Sequence, residues 1–138
     1  MVAAYTLEPH TADVAVAATG DSMAAVFGAL ADGLAAAHVE RVPEGGQEVS
    51  VSVRAESSTA LLFDYLDRLL YVRDVEGVLP VDNAVDIETA EGEWSLEGTA
   101  RGVPIDDLGA REVKAITYSE MELEERDGEF YGYVVLDV

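Results

Sequence analysis

Lys114 is the only lysine in the 138-residue chain, and it stands in Val113-Lys114-Ala115-Ile116-Thr117-Tyr118, a run that otherwise reads as a mostly apolar strand. Seven arginines face 28 Asp and Glu residues. A compositional pressure that removes surface lysine spares a position where a compact, titratable ammonium is required, because the planar guanidinium of Arg cannot imitate it. The competing explanation is a lysine that snorkels from a strand end, with its stem over apolar neighbours.

Carboxylates stand at two further points. In His10-Thr11-Ala12-Asp13 a strand is expected to break at Pro9 and a second to enter at Asp13, which puts a carboxylate at a strand mouth. The sequence ends Val134-Val135-Leu136-Asp137-Val138, a strand with no tail, so the Asp137 carboxylate and the α-carboxylate of Val138 fall within a few Å of each other. Two adjacent anions call for a compensating cation. Carboxylate oxygens suit a hard divalent ion such as Mg²⁺, Mn²⁺ or Ca²⁺. Chain ends in general fray and hydrate, but an apolar strand running to the last residue favours an ordered end.

The last hairpin relates these groups on paper. Asp127-Gly128 is a strong two-residue turn signal, which pairs Arg126 with Glu129, sets Tyr118 opposite Asp137 and faces Thr117 to Val138. Lys114 then lies four residues, or about 13 Å, beyond the terminal Asp. Direct pairing would need a bulge or a longer turn, and a substrate phosphate or partner loop could bridge the gap.

The frame that must position these groups is legible as changes of period. Tyr5 and Leu7 alternate in a first strand, and Val14, Val16 and Ala18 in a second. Gly20-Asp21-Ser22 caps a helix over about 21–38, whose stripe is Val26, Phe27, Leu30, Ala31 and Leu34. After Pro43-Glu44-Gly45-Gly46, residues Val49, Val51 and Val53 make a third strand. Ser57-Ser58 then starts a second helix bearing Leu61, Leu62, Tyr65, Leu66, Leu69 and Leu70. Val85/Ile87 and Trp94/Leu96 flank a turn at Glu91-Gly92, Gly102-Val103-Pro104-Ile105-Asp106-Asp107 reads as a loop, and strands of about 112–124 and 129–138 complete the chain. The expected class is α+β, a mostly antiparallel sheet with two helices packed on one face.

Composition bounds the function. The length suits one domain over residues 1–138. With no cysteine there is neither a disulfide framework nor a thiolate site. The N-terminus lacks a basic region, and no window approaches the roughly 20 apolar residues of a membrane span, so the expectation is a soluble, cytoplasmic protein. The formal charge of −20 would make the chain repel itself in dilute buffer, and abundant Ala and Val beside one Lys suggest a halophilic setting. The same charge disfavours direct nucleic-acid binding, whose affinity comes mainly from Lys and Arg on phosphates. A protein partner is expected instead.

His10-Thr11-Ala12-Asp13, the helix from Leu61 to Tyr71, the Lys114-Ala115-Ile116-Thr117-Tyr118 strand and the terminal Leu136-Asp137-Val138 together resemble the archease family, in order and over the whole chain. Ser119 and Gly109-Ala110-Arg111 stand where that family often has histidines. The resemblance implies a protein cofactor, not itself an enzyme, that activates the RtcB-type 3'-phosphate RNA ligase of tRNA splicing by promoting its GTP-dependent guanylylation and multiple turnover. Residue by residue, it implies a divalent metal ion (calcium, magnesium or manganese) held by Asp13, Asp137 and Val138, with Lys114 essential for activation. It also allows a chaperone-like modulator of tRNA-modifying enzymes such as a tRNA methyltransferase. A free-standing metal-dependent phosphoesterase is disfavoured by the lack of a phosphate-cradling Gly-rich loop, a His-rich cluster or a nucleophile with a base partner. His38, at a helix end, reads as a cap.

Overall fold

Two serines start the two helices. Ser22 and Ser57, both in extended backbone, accept the N–H of Ala25 and Ala60 at 3.1 Å each, satisfying one of the donors that a helix start leaves open. The computed structural model describes residues 3–10, 13–105 and 113–138. In chain order the elements are β1 (Ala3–His10), β2 (Asp13–Gly20), α1 (Met23–His38), β3 (Gln47–Ala55), α2 (Ser58–Glu76), β4 (Val78–Ala90), β5 (Glu93–Pro104), β6 (Ala115–Arg126) and β7 (Glu129–Asp137). Gly77 ends α2 in the left-handed region, φ 68°, returning its N–H to the Arg73 carbonyl at 3.0 Å, a closure that glycine makes without steric cost.

Among the described residues the strands form two antiparallel sheets, ordered β1-β2-β7-β6 and β3-β5-β4. Each helix touches both. α1 contacts β1, β2 and β7 of the first sheet and β4 of the second, while α2 contacts β3, β4 and β5 of the second and β6 of the first. The sequence of α1 permits this because it is apolar almost all round, with Ala, Leu, Val and Phe on several faces buried. Two glycines let it approach closely. A Cβ on Gly33 would collide with Val16 of β2, and one on Gly28 would come within 3.1 Å of the Asn83 carbonyl of β4.

Phe27, Leu30, Leu61, Leu62, Tyr65, Leu66, Val134 and Leu136 are all wholly buried in one cluster, each aliphatic side chain contributing about 1.5–3 kcal/mol by leaving water. Tyr65 stacks on Phe27, ring centroids 6.3 Å apart, and its hydroxyl reaches Asn83 Oδ1 at 3.5 Å. Burial pushes that phenol up from its ordinary range.

Three local expectations are corrected. Pro9 does not end the first strand: β1 continues to His10, with Pro9 opposite Val14. An edge strand has one side without a ladder partner, so a residue with no N–H is tolerated there. Gly102-Val103-Pro104 belongs to β5, not to a loop, and pairs with Val78-Leu79-Pro80; Pro80 again lies on an edge strand and Pro104 at a strand's end. Asp106 and Asp107, like Glu112 and the segment Gly109-Ala110-Arg111, lie outside the described residues.

The third correction is the register of the last hairpin. Asp127 (φ 52°) and Gly128 (φ 82°) form the two-residue turn, and Arg126 does pair with Glu129. The register holds back to Glu122↔Tyr133 and then shifts, resuming at Thr117↔Val135 and Ala115↔Asp137. Four residues of β6, 118–121, thus face the single residue Val134. Tyr118 is not opposite Asp137; it lies in this bulge, with its ring edge-on to Phe63 of α2 at 5.2 Å. That contact gives a half-exposed aromatic a partner that an uninterrupted register would have removed.

Candidate functional site

β7 lies between β2 and β6, and its Val134, Val135 and Leu136 are all fully buried. Its end is therefore held from both sides. Asp13, the first residue of β2, stands directly across from Asp137. Directly opposite residues of an antiparallel pair share a face, with Cβ atoms about 4.5–5.5 Å apart. The next pair along, Val14↔Leu136, belongs to the helix-facing core, so by the alternation of a strand the two carboxylates point to the other face. Asp137 is exposed and Asp13 half-buried. Val138 packs its side chain against the core.

The β6 bulge completes the constellation. Because it takes up three extra residues between Arg126 and Ala115, it draws the start of β6 down to Asp137. Lys114, exposed just before the strand, donates its backbone N–H to the Asp137 carbonyl at 2.7 Å. Asp13, Lys114, Asp137 and Val138 thus meet at one end of the first sheet, and the sequence-based gap of four residues between lysine and terminal Asp is closed. Thr11 and Ala12, and the side chain of His10, lie outside the described residues.

Arg73, and the bond it makes to His38, are absent from the sequence reading. His38 does cap α1, its Nδ1 bonding the Leu34 carbonyl at 2.8 Å, but its Nε2 also meets Arg73 Nη1 at 2.8 Å. The same Nη1 donates to the carbonyl of Val113 at 2.6 Å. The signal for Arg73 was available: it continues the stripe Leu62, Leu66, Leu69, Leu70 at helical spacing, and its side chain is only 10% exposed.

Elsewhere, a cleft of about 480 Å³ opens between β1, α1 and β4, lined by Tyr5, Ala25, Gly28, Asp32, Asn83 and Val85. Asp32 Oδ1 accepts from the backbone N–H of Asn83 at 2.8 Å and from its Nδ2 at 3.0 Å. Burial raises the Asp32 carboxyl above its ordinary value; the Asn83 hydrogen bonds oppose this, and the charge of Asp82 adds to it. The cleft is reached from the Ala3 end of β1, remote from the His10↔Asp13 end.

The chemistry of the first site is that of hard oxygen donors beside an ammonium. Among the described residues no three His, Cys, Asp or Glu side chains gather as a metal cluster; two side-chain carboxylates, Asp13 and Asp137, stand opposite each other. Oxygen donors of this kind fit Mg²⁺, Mn²⁺ or Ca²⁺ and do not favour softer metals. Among the described residues no helix is long and apolar enough to cross a membrane.

Comparison with known proteins agrees in sequence and in fold. Residues 5–138 match the model of the archease protein family (MTH1598/TM1083). The chain is 36% identical over 134 residues to the archease of Pyrococcus furiosus, with 94% of each covered. It is 34% identical over 140 residues to that of Methanosarcina mazei, covering 97% of the chain and 95% of the relative. A solution structure of a Methanobacterium thermoautotrophicum protein superposes with a TM-score of 0.85 at 30% identity, covering 97% of this chain and 98% of that one. A Thermotoga maritima archease described as a possible chaperone shares the fold, with a TM-score of 0.62 at 20% identity.

Proposed function

Because the chain belongs to the archease protein family, we propose that it is a protein cofactor of the RtcB-type RNA ligase, promoting the ligase's GTP-dependent guanylylation and its multiple turnover in tRNA splicing. The observation that carries this reading is the convergence on Asp137: Asp13 stands opposite it, and the Lys114 N–H is bonded to its carbonyl. In this reading Asp13, Asp137 and the α-carboxylate of Val138 hold a divalent ion, which supplies positive charge for phosphate oxygens. Lys114, exposed beside them, offers a compact cation to a phosphate group.

The site lies at one end of a sheet and not in a closed pocket, which suits a tip inserted against the active site of a partner protein. The formal net charge of −20 favours a basic partner surface, such as an RNA-binding cleft, and speeds encounter with it. Direct contact with RNA phosphates over a broad face is disfavoured by the same charge.

The description of the Thermotoga maritima relative as a possible chaperone favours one second reading, a chaperone-like modulator of a tRNA-modifying enzyme such as a tRNA methyltransferase. Ligation of cleaved tRNA, and formation of the guanylylated ligase, with and without this protein separates the two. Stimulation of the ligase with no effect on methyltransferase solubility or activity supports the first; the reverse overturns it. Hydrolysis of a generic phosphoester by the pure protein would contradict both.

A further inference from the structure

The carbonyl of Val113 and the N–H of Lys114 are the two polar ends of one peptide unit, and both are held. The carbonyl accepts from Arg73 Nη1 at 2.6 Å, and the N–H donates to the Asp137 carbonyl at 2.7 Å. A peptide unit is planar, so fixing its two ends fixes the plane from which the Lys114 Cα departs. One anchor comes from the last turn of α2 and the other from the strand that carries the candidate carboxylate.

Arg73 is itself held on every side of its fork. Nε and Nη2 both reach Asp74 Oδ1 at 2.9 Å, while Nη1 reaches His38 and Val113. A carbonyl only accepts and a guanidinium only donates. With Nδ1 on the Leu34 carbonyl and Nε2 on Arg73, His38 is therefore the neutral ring protonated at Nδ1, accepting the Arg73 proton at Nε2. His38 is 3% exposed and Val113 fully buried, so the arrangement is built into the core where α1, α2 and the approach to β6 meet.

We propose that Arg73 is a positioning residue for Lys114, aimed by His38, so that the lysine departs from a fixed backbone at the end of the sheet that carries Asp13 and Asp137. Its role in activation rests on the function proposed above; its role in fixing the peptide does not. Lysine cannot replace it, because a point donor without the planar fork cannot hold Asp74, His38 and the Val113 carbonyl together. The purpose of the arrangement is entropic: a long, exposed side chain on a fixed peptide loses less freedom when it meets its target than one on a mobile approach segment.

The test uses the full chain in two measurements. In amide hydrogen exchange, Arg73→Lys and Arg73→Gln should each accelerate exchange at Lys114 by about tenfold or more, as expected for losing one hydrogen-bond restraint, with the amides of Leu66 and Val134 unchanged. In ligase guanylylation, Arg73→Lys should lower the maximal stimulation while leaving the half-saturating concentration of the protein unchanged. His38→Gln should give an intermediate loss in both. If Arg73→Gln does not fold, Arg73→Lys and His38→Gln carry the same readings. Unchanged Lys114 exchange overturns the proposal, and so does a raised half-saturating concentration at full maximal stimulation, which would mark Arg73 as part of a docking surface. If Lys114→Ala stimulates like the unaltered protein, the functional reading fails, while the exchange measurement still decides whether Arg73 fixes the peptide.

Discussion

The backbone N–H of Lys114 is bonded to the carbonyl of Asp137 at 2.7 Å, so the only lysine of the chain and its terminal aspartate are joined through the main chain, whatever their side chains do. The side chains remain available for a target while their spacing is set by the ladder.

Lys114→Ala should abolish stimulation of ligase guanylylation while leaving the thermal melt unchanged, because the side chain is exposed and the restraint on its backbone is independent of its identity. Lys114→Arg should restore little, since a planar fork does not present the same compact charge. Single-turnover guanylylation with each variant checks both. Full stimulation by Lys114→Ala would remove the residue from the mechanism.

Asp13→Ala and Asp137→Ala should each weaken divalent-ion binding, and an extension past Val138 should damage function more than a tag before Met1. The extension would replace the α-carboxylate by an amide and carry the chain beyond a residue packed on the core. Titration calorimetry with Mg²⁺ and Mn²⁺ in high monovalent salt, where diffuse counterion binding is suppressed, measures this. Equal affinity for the unaltered protein and Asp137→Ala would exclude the site.

Stability should rise with monovalent salt up to molar concentrations. Beyond the net charge of −20, the sheets place like charges face to face, as at Asp86↔Glu97 and Asp13↔Asp137, an arrangement that costs stability until it is screened. Divalent ions should act at lower concentration by binding the native state, and Asp13→Ala should keep the KCl response while losing part of the MgCl₂ response. A melting temperature flat in KCl would refute the salt dependence, and an undiminished MgCl₂ increment in Asp13→Ala would refute the metal site.

Asp32 should make an unusual contribution to the pH dependence. Burial raises its folded-state pKa above the ordinary 3.8, so between those two values the folded state binds more protons than the unfolded one. The stability contribution is then fully present below the unfolded pKa and is lost as pH rises through the folded pKa. Asp32→Asn, whose side-chain oxygen can still accept from Asn83, should therefore be more stable than the unaltered protein at neutral pH, the difference shrinking as pH falls towards 4. Urea denaturation at a series of pH values measures it; a difference that grows on acidification would reverse the sign and contradict the burial argument.

Much of the frame followed from local chemistry. Ser22 and Ser57 cap the helices as their residue types and the following apolar stripes require, and Asp127-Gly128 makes a turn with both residues at positive φ, a region that Asp and glycine enter more readily than most residues. Asp13, Lys114, Asp137 and Val138 were legible as chemistry, since a lone lysine and paired carboxylates stand out by type. The proximity of Lys114 to Asp137 was not. It depends on three extra residues taken up at 118–121, and nothing in the alternation of β6 marks that shift, which is stabilised by Tyr118 against Phe63 on a helix some 55 residues earlier in the chain. Likewise Pro9 reads as a breaker until the tertiary order puts its strand at a sheet edge, where a missing donor costs little. Nothing in the sequence pairs Arg73 with the Val113 carbonyl, 40 residues on, which it meets only through packing. Residue type and period are properties of a short window, and the sequence alone determined what they dictate. Which strand lies at an edge, where a ladder slips and which carbonyl a buried guanidinium finds are set by contacts between distant segments, and only the folded chain decides those.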